Sequence, residues 1–221
     1  MIEAVIFDMD GVLLDSEPLW HEAEIAAFEN VGIHLTNEMC METTGVRIDE
    51  VVAYRFHQKP WKSKSQEEVR DAILAGVEQR ILERSAPLDG SLETMNIFRS
   101  RNIPIALASS SPMRLINAVL NKFAIQNIFV KIHSAEHERF GKPHPAVFLT
   151  TAKELHTNPA CCLVFEDSFN GLTAAKAAKM KVVAIPIAEQ WNDTRFDIAD
   201  LKLKSLIEFS ENHWKRLKEL P

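Results

Sequence analysis

No apolar run in this chain is long enough to cross a bilayer; the stretch 182–188 is typical, against the roughly 20 residues a spanning helix needs. Basic charge is not in surplus either. The formal net charge is −6 with both signs scattered, so there is no cationic stripe for nucleic acid. Cysteine is scarce: Cys40, Cys161 and Cys162 are an odd set, two of them adjacent in an apolar run. That excludes a disulfide framework, points to a reducing cytoplasm, and makes buried packing the expectation for all three. Met1-Ile2-Glu3 leads straight into a strand-like run, so no signal peptide is expected. Internal repeats and low-complexity segments are absent as well. What is present is 221 residues, 46% hydrophobic and 25% charged, enough for one packed domain or one domain with a modest insertion.

Short apolar runs at 4–7, 103–108, 161–165 and 182–185 are bounded by polar or turn residues and read as buried strands. Helical spacing lies between them, as at Leu115, Val119 and Phe123, and at Phe148, Ala152 and Leu155. Strands that are continuously apolar and alternate with helices predict a parallel sheet covered on both faces. The stretch from about Glu17 to about Glu83 breaks the alternation. Trp20, Ala23, Ala27 and Val31 are spaced as in a helix, and a polar tract without a strand follows. Pro18 suits a first helical turn, with Asp15-Ser16 offering a cap oxygen. Pro60-Trp61 marks a turn between helices. The segment reads as a helical insertion, and residues 211–220 as a surface helix.

Four elements carry chemistry. Asp8 and Asp10, in Asp8-Met9-Asp10-Gly11, directly follow the first strand; two residues apart in extended chain, their carboxylates face one side, and Gly11 lets the chain turn away. Two solvated aspartates at a strand end is the plainer alternative. Ser109-Ser110-Ser111-Pro112 follows the second strand, and Pro112 fits a first helical position, so the nearby amides can face an anion. For Ser111 a simple cap is preferred. Lys142 sits between Gly141 and Pro143-His144-Pro145, a loop that two prolines fix. Glu166-Asp167 leaves a further strand, and acids from two strands can hold a hard cation. Ligands of open parallel sheets bind at such carboxyl ends. His133 and His137 are four apart but show no third ligand, so zinc is not expected. His144, beside Lys142, is placed near the site entrance without a catalytic role.

In this order the four elements resemble the haloacid dehalogenase-like hydrolase superfamily, across nearly the whole chain. The resemblance implies an α/β fold: a Rossmann-like parallel sheet core, residues 1–16 and 84–221, with a small inserted helical cap domain, residues 17–83. It implies Asp8 as nucleophile and Asp10 as general acid and base. Ser109 and Ser110 match the phosphate-binding hydroxyl and amide, and Lys142 the lysine that steadies nucleophile and phosphate. Mg²⁺ is implied as cofactor, held by the Asp8 side chain, the Asp10 backbone carbonyl and Asp167, with Glu166 binding directly or through water. A monomer acting on a small-molecule substrate is implied too. Physics explains why these parts occur together. A carboxylate attacking a phosphate dianion at 4 Å meets repulsion of about 8 kcal/mol at an effective dielectric near 20, which would slow the step by roughly six powers of ten. A divalent cation and Lys142 reverse that field.

Within the superfamily, Asp15-Ser16-Glu17-Pro18-Leu19-Trp20, Gly45-Val46-Arg47-Ile48-Asp49, Lys59-Pro60-Trp61, and the tail Asn192-Asp193-Thr194-Arg195-Phe196 and Leu201-Lys202-Leu203-Lys204-Ser205-Leu206 resemble bacterial 2-deoxyglucose-6-phosphate or hexitol phosphatases. That implies hydrolysis of sugar or sugar-alcohol phosphates. β-Phosphoglucomutase-like enzymes are the main alternative. They carry a cap histidine where this sequence has Trp20, although His21 is adjacent, and space their cap glycine and arginine differently from Gly45 and Arg47. A non-catalytic sugar-phosphate-binding module is a further alternative, but it would be expected to lose the nucleophile, lysine or metal acid. Arg47 reads as a substrate contact or a structural cap arginine. Trp20 and Trp61 read as helix packing before sugar stacking.

Overall fold

A computed structural model describes residues 1–220. Its strands are β1 (Ala4–Phe7), β2 (Ile105–Ser109), β3 (Lys131–Ser134), β4 (Cys162–Glu166), β5 (Lys181–Ala184) and β6 (Leu201–Lys202). They form one sheet in the order β3-β2-β1-β4-β5-β6, with every pairing parallel. The α/β expectation holds. From β1 the chain builds outward on one side to β2 and β3, then returns beside β1 with β4 and continues to β5 and β6. This reversal opens a crevice at the carboxyl ends of β1 and β4. Phe7 pairs in register with Phe165, so Asp8 and Asp167 leave adjacent strands at that crevice.

β1, β2, β4 and β5 are buried along their full lengths, which explains why they read as unbroken apolar runs. Side chains alternate across the sheet. Phe7 and Phe165 stack at 4.6 Å on one face, with Phe98 and Phe209 against them. Ala4, Ile6, Ala106 and Val164 face the other side, where small side chains let Phe148 and Leu172 approach. Burying each of the large side chains contributes about 1.5–3 kcal/mol.

The helices are α1 (Glu17–Glu29), α2 (Asn37–Met41), α3 (Ile48–Gln58), α4 (Gln66–Arg84), α5 (Ser91–Arg99), α6 (Met113–Phe123), α7 (Ala146–Glu154), α8 (Phe169–Ala177) and α9 (Glu211–Glu219). The first four follow β1 consecutively, with no strand among them. α4 starts in a capping box in which Ser65 and Glu68 satisfy each other's backbone amides. Its buried Val69, Ile73, Val77 and Ile81 form one stripe. Trp61 lies in the turn before α4, with its ring edge-on to Phe28 and Phe56, so its role is packing.

Several expectations need correction. Helix α9 is not merely superficial: Trp214 and Leu217 are buried, and Trp214 meets Phe98 at 5.4 Å. Cys161 is only half-buried, because it ends a short turn ahead of β4, whereas Cys40 and Cys162 are buried. Pro112 caps α6 from an extended conformation instead of occupying its first turn. Its carbonyl accepts from Leu115 and Ile116, and the Met113 amide donates to Glu136 Oε1 at 3.0 Å. Apart from these corrections, His133 lies on β3 and pairs with Glu138 at 2.8 Å. No helix among the described residues is long and apolar enough to cross a membrane.

Candidate active site

The floor of the crevice is a buried ion cluster. Lys142 Nζ donates to Asp8 Oδ1 at 2.9 Å and to Glu166 Oε1 at 2.5 Å, and the same ammonium nitrogen lies 4.9 Å from the centre of the Phe148 ring. The lysine is 1% exposed, so the loop places its charge rather than leaving it in solvent. Burial alone would make its ammonium easier to deprotonate; the facing Asp8 and Glu166 carboxylates outweigh that and hold it well above the usual lysine range. The second oxygen of Glu166 accepts from the Ser168 amide and hydroxyl, each at 3.0 Å. Both Glu166 oxygens are therefore occupied, and this residue orients Lys142.

Asp8, Glu166 and Asp167 each offer an oxygen within 4.8 Å of the others. Burial pushes the Asp8 carboxyl up to about 8, against the pull of Lys142 and with Glu166 and Asp10 adding to the rise. Asp167 is also raised, by burial first and then by Glu166 and Asp8. Three acids against one lysine is an excess of negative charge, carried by hard oxygen donors from two adjacent strand ends. The group fits a hard divalent cation, with Asp8 and Asp167 as the acids left free to bind it. Gly11 makes room for this arrangement. Its φ is +69°, and a Cβ there would fall 1.9 Å from Asp167 Oδ2.

Asp10 stands beside this cluster under four donors. Ser16 Oγ at 2.6 Å and Trp20 Nε1 at 3.0 Å reach Oδ1; Ser111 Oγ at 2.7 Å and Ser109 Oγ at 3.3 Å reach Oδ2. Ser16 does occupy the N-cap position of α1, but its side chain makes no cap bond, because it turns to Asp10 instead. Trp20 and Ser111, read from sequence as packing and cap, are contacts of Asp10. Ser109 is fully buried, its hydroxyl shared between Asp10 and the Ser111 amide, whereas Ser110 Oγ donates to Gly45 O at 2.8 Å.

That last bond is one of several that dock the helical segment onto the sheet. Asn170 donates to Thr44 O at 2.9 Å, and the Gly141 amide donates to Glu50 at 3.0 Å. Arg47 Nη1 donates to the carbonyls of Ala135 and Glu138 at 3.0 and 2.6 Å while Asp49 holds its other edge. Arg47 is thus a structural strap between the two parts. Beneath the docked segment is a chamber with a cavity volume of about 70 Å³, partly open to solvent. Asp8, Asp10, Ser110, Ser111 and Asp167 form its base, and Glu17, Trp20, His21 and Glu24 of α1 line it from above. His144 is not among its lining residues; its Nδ1 accepts from the Ala146 amide.

The family model for haloacid dehalogenase-like hydrolases matches residues 2–179. The chain belongs to that family. Hexitol phosphatase B of Escherichia coli K12 is 39% identical over 211 residues, 95% of either chain. The phosphorylated carbohydrates phosphatase of Thermotoga maritima is 32% identical over 177 residues, 80% of this chain and 82% of its own. Among solved structures, a β-phosphoglucomutase from Clostridium difficile superposes with a TM-score of 0.87 at 27% identity, covering 99% of this chain and 98% of its own. In this haloacid dehalogenase-like chain, sequence reasoning missed Ser16, Ser111, Glu17 and Glu24 as site residues. The first two look like helix caps. Only the i, i+3, i+4, i+7 spacing of Glu17, Trp20, His21 and Glu24 hinted at a polar face turned inward.

Proposed function

We propose that the protein is a phosphatase of sugar or sugar-alcohol monophosphates that uses Mg²⁺ and forms an aspartyl phosphate on Asp8. The observation that carries this reading is Lys142, buried and bridging Asp8 to Glu166 directly below a chamber in which Asp10 stands ready beside the nucleophile. The 39% identity to a hexitol phosphatase supports the substrate class. The segment 17–83 then serves as a cap domain over a core formed by 1–16 and 84–221, and the protein acts as a monomer. Three free cysteines suit a reducing cytoplasm.

In the reaction, an Asp8 carboxylate oxygen attacks phosphorus while Lys142 offsets the charge that accumulates. Asp10 donates a proton to the departing sugar oxygen. Its carboxylate then takes a proton from the water that attacks phosphorus, which frees Asp8 and releases phosphate. Asp8, Asp167 and the Asp10 carbonyl would hold Mg²⁺, which would supply neutralisation of phosphate charge. Ser109 and Ser110 serve the phosphate from the β2 end.

The fold also suits a phosphoglucomutase, given the superposition above. A mutase must hold a sugar bearing two phosphates midway through its cycle, when a phosphoryl group passes from the aspartate to a sugar monophosphate. Among the described residues no Lys or Arg lines the chamber, so a second phosphate would find no cation to offset its charge there. The test is phosphate release with Mg²⁺ over hexose, hexitol and nucleotide monophosphates. Hexitol and hexose phosphates are expected to lead. Preference for nucleotides, or glucose 6-phosphate appearing from β-glucose 1-phosphate faster than free phosphate, would overturn the reading.

A further inference from the structure

The loop that presents Lys142 is held from across the boundary between core and cap. On the core side its last tie is Glu138, whose carboxylate meets His133 at 2.8 Å. Arg139 and Phe140 follow; both are exposed, and neither donates a backbone hydrogen bond among the described residues. The Gly141 amide then donates to Glu50 Oε1 of α3 at 3.0 Å. Between Glu138 and Lys142 this is the only hydrogen bond to another element among the described residues. The Gly141 carbonyl accepts from the His144 amide at 2.9 Å, which closes a turn with Lys142 inside it. Beyond the turn, α7 anchors the chain at Pro145, whose carbonyl accepts from Phe148. Gly141 permits the close approach of the cap: a Cβ there would lie 3.1 Å from Glu50 Oε2 and 3.3 Å from Arg47 Cβ.

We propose that Glu50 is a positioning residue for Lys142: by holding the Gly141 amide it fixes the lysine's backbone, so that the ammonium stays on the reacting oxygens throughout the reaction. This role rests on the phosphatase reading of the site and deepens it. The bond from Lys142 to Asp8 cannot do the work alone. Once an Asp8 oxygen bonds to phosphorus, its charge passes to the phosphate, and a lysine side chain is a flexible stem. Its backbone then decides where the ammonium sits. Displacing a group by about 1 Å can cost about a hundredfold in rate. Docking of the cap and placement of the cation are therefore one event, since a cap lifted from the core releases Gly141 with it.

The test is steady-state release of phosphate from sorbitol 6-phosphate, with Mg²⁺, by wild type, Glu50→Leu, Glu50→Gln and Asn170→Ala. Leu removes the acceptor and Gln keeps one. Asn170→Ala removes a different docking bond, the one to Thr44, which does not touch the Lys142 loop. In Glu50→Leu, kcat is expected to fall about tenfold with KM little changed. Glu50→Gln should recover most of that loss, and Asn170→Ala should lose less. An unchanged kcat in Glu50→Leu would overturn the role, and so would equal losses in Glu50→Leu and Asn170→Ala. If wild type releases no phosphate, the phosphatase reading fails on its own, and melting temperatures decide. The separate losses in Glu50→Leu and Lys142→Met should then sum to more than the loss in the double variant, because both act on one cluster. Additive losses would overturn the role.

Discussion

The indole Nε1 of Trp20 donates to Asp10 Oδ1 at 3.0 Å, across the boundary between the first insertion helix and the loop that follows β1. Together with Ser16 on the same oxygen, it fixes the carboxylate from the helical side, while Ser109 and Ser111 fix it from the sheet side. The proposed acid and base is therefore oriented by both parts of the molecule. Docking of the helical segment becomes part of the chemistry.

Trp20→Phe keeps a ring in place but removes that donor. One hydrogen bond to a charged group is worth about 1.5–3 kcal/mol, so kcat on a hexitol phosphate is expected to drop about tenfold or more with KM little changed. Steady-state kinetics check this, and an unaltered kcat would mean that Asp10 needs no help from Trp20.

Lys142→Met should damage stability as well as turnover, because it leaves Asp8 and Glu166 buried without their cation. Removing one partner of a buried ion pair costs about 3–5 kcal/mol. The loss should shrink as pH falls, since protonated carboxyls no longer need the lysine. Thermal melts at neutral and acidic pH test this; a penalty independent of pH would contradict the charge argument.

Stability without metal has a definite pH sign. The Asp8 carboxyl rises in the folded protein from 3.8 to about 8, so the folded state holds a proton that the unfolded chain releases. That contribution is present at low pH and is lost as pH rises toward 8. A cation displaces the proton, so the melting-temperature gain from saturating Mg²⁺ should increase from about pH 5 to about pH 8. A gain that is flat or falls with pH would count against the Asp8 and Asp167 metal set.

The parts of the fold that were legible in sequence share one physical cause. β1, β2, β4 and β5 are buried on both faces and so appear as continuous apolar runs. β3 escaped notice because it is an edge strand whose Lys131 is exposed, and β6 because it has two residues. At the site, Asp8, Asp10, Lys142 and Asp167 stood out because charged groups directly follow strands or sit in a proline-fixed loop. The partners of Asp10 did not. Ser16 and Ser111 carry the signature of helix caps and Trp20 that of packing, and only the docking of the segment onto the sheet redirects them.

The most direct test of the account is the initial rate of phosphate release from sorbitol 6-phosphate by Asp8→Asn against wild type, both with Mg²⁺. An amide is a poor nucleophile and a poor ligand for a hard cation. Release should fall to the uncatalysed background while the variant remains folded. A rate within about tenfold of wild type would remove Asp8 from the centre of the mechanism.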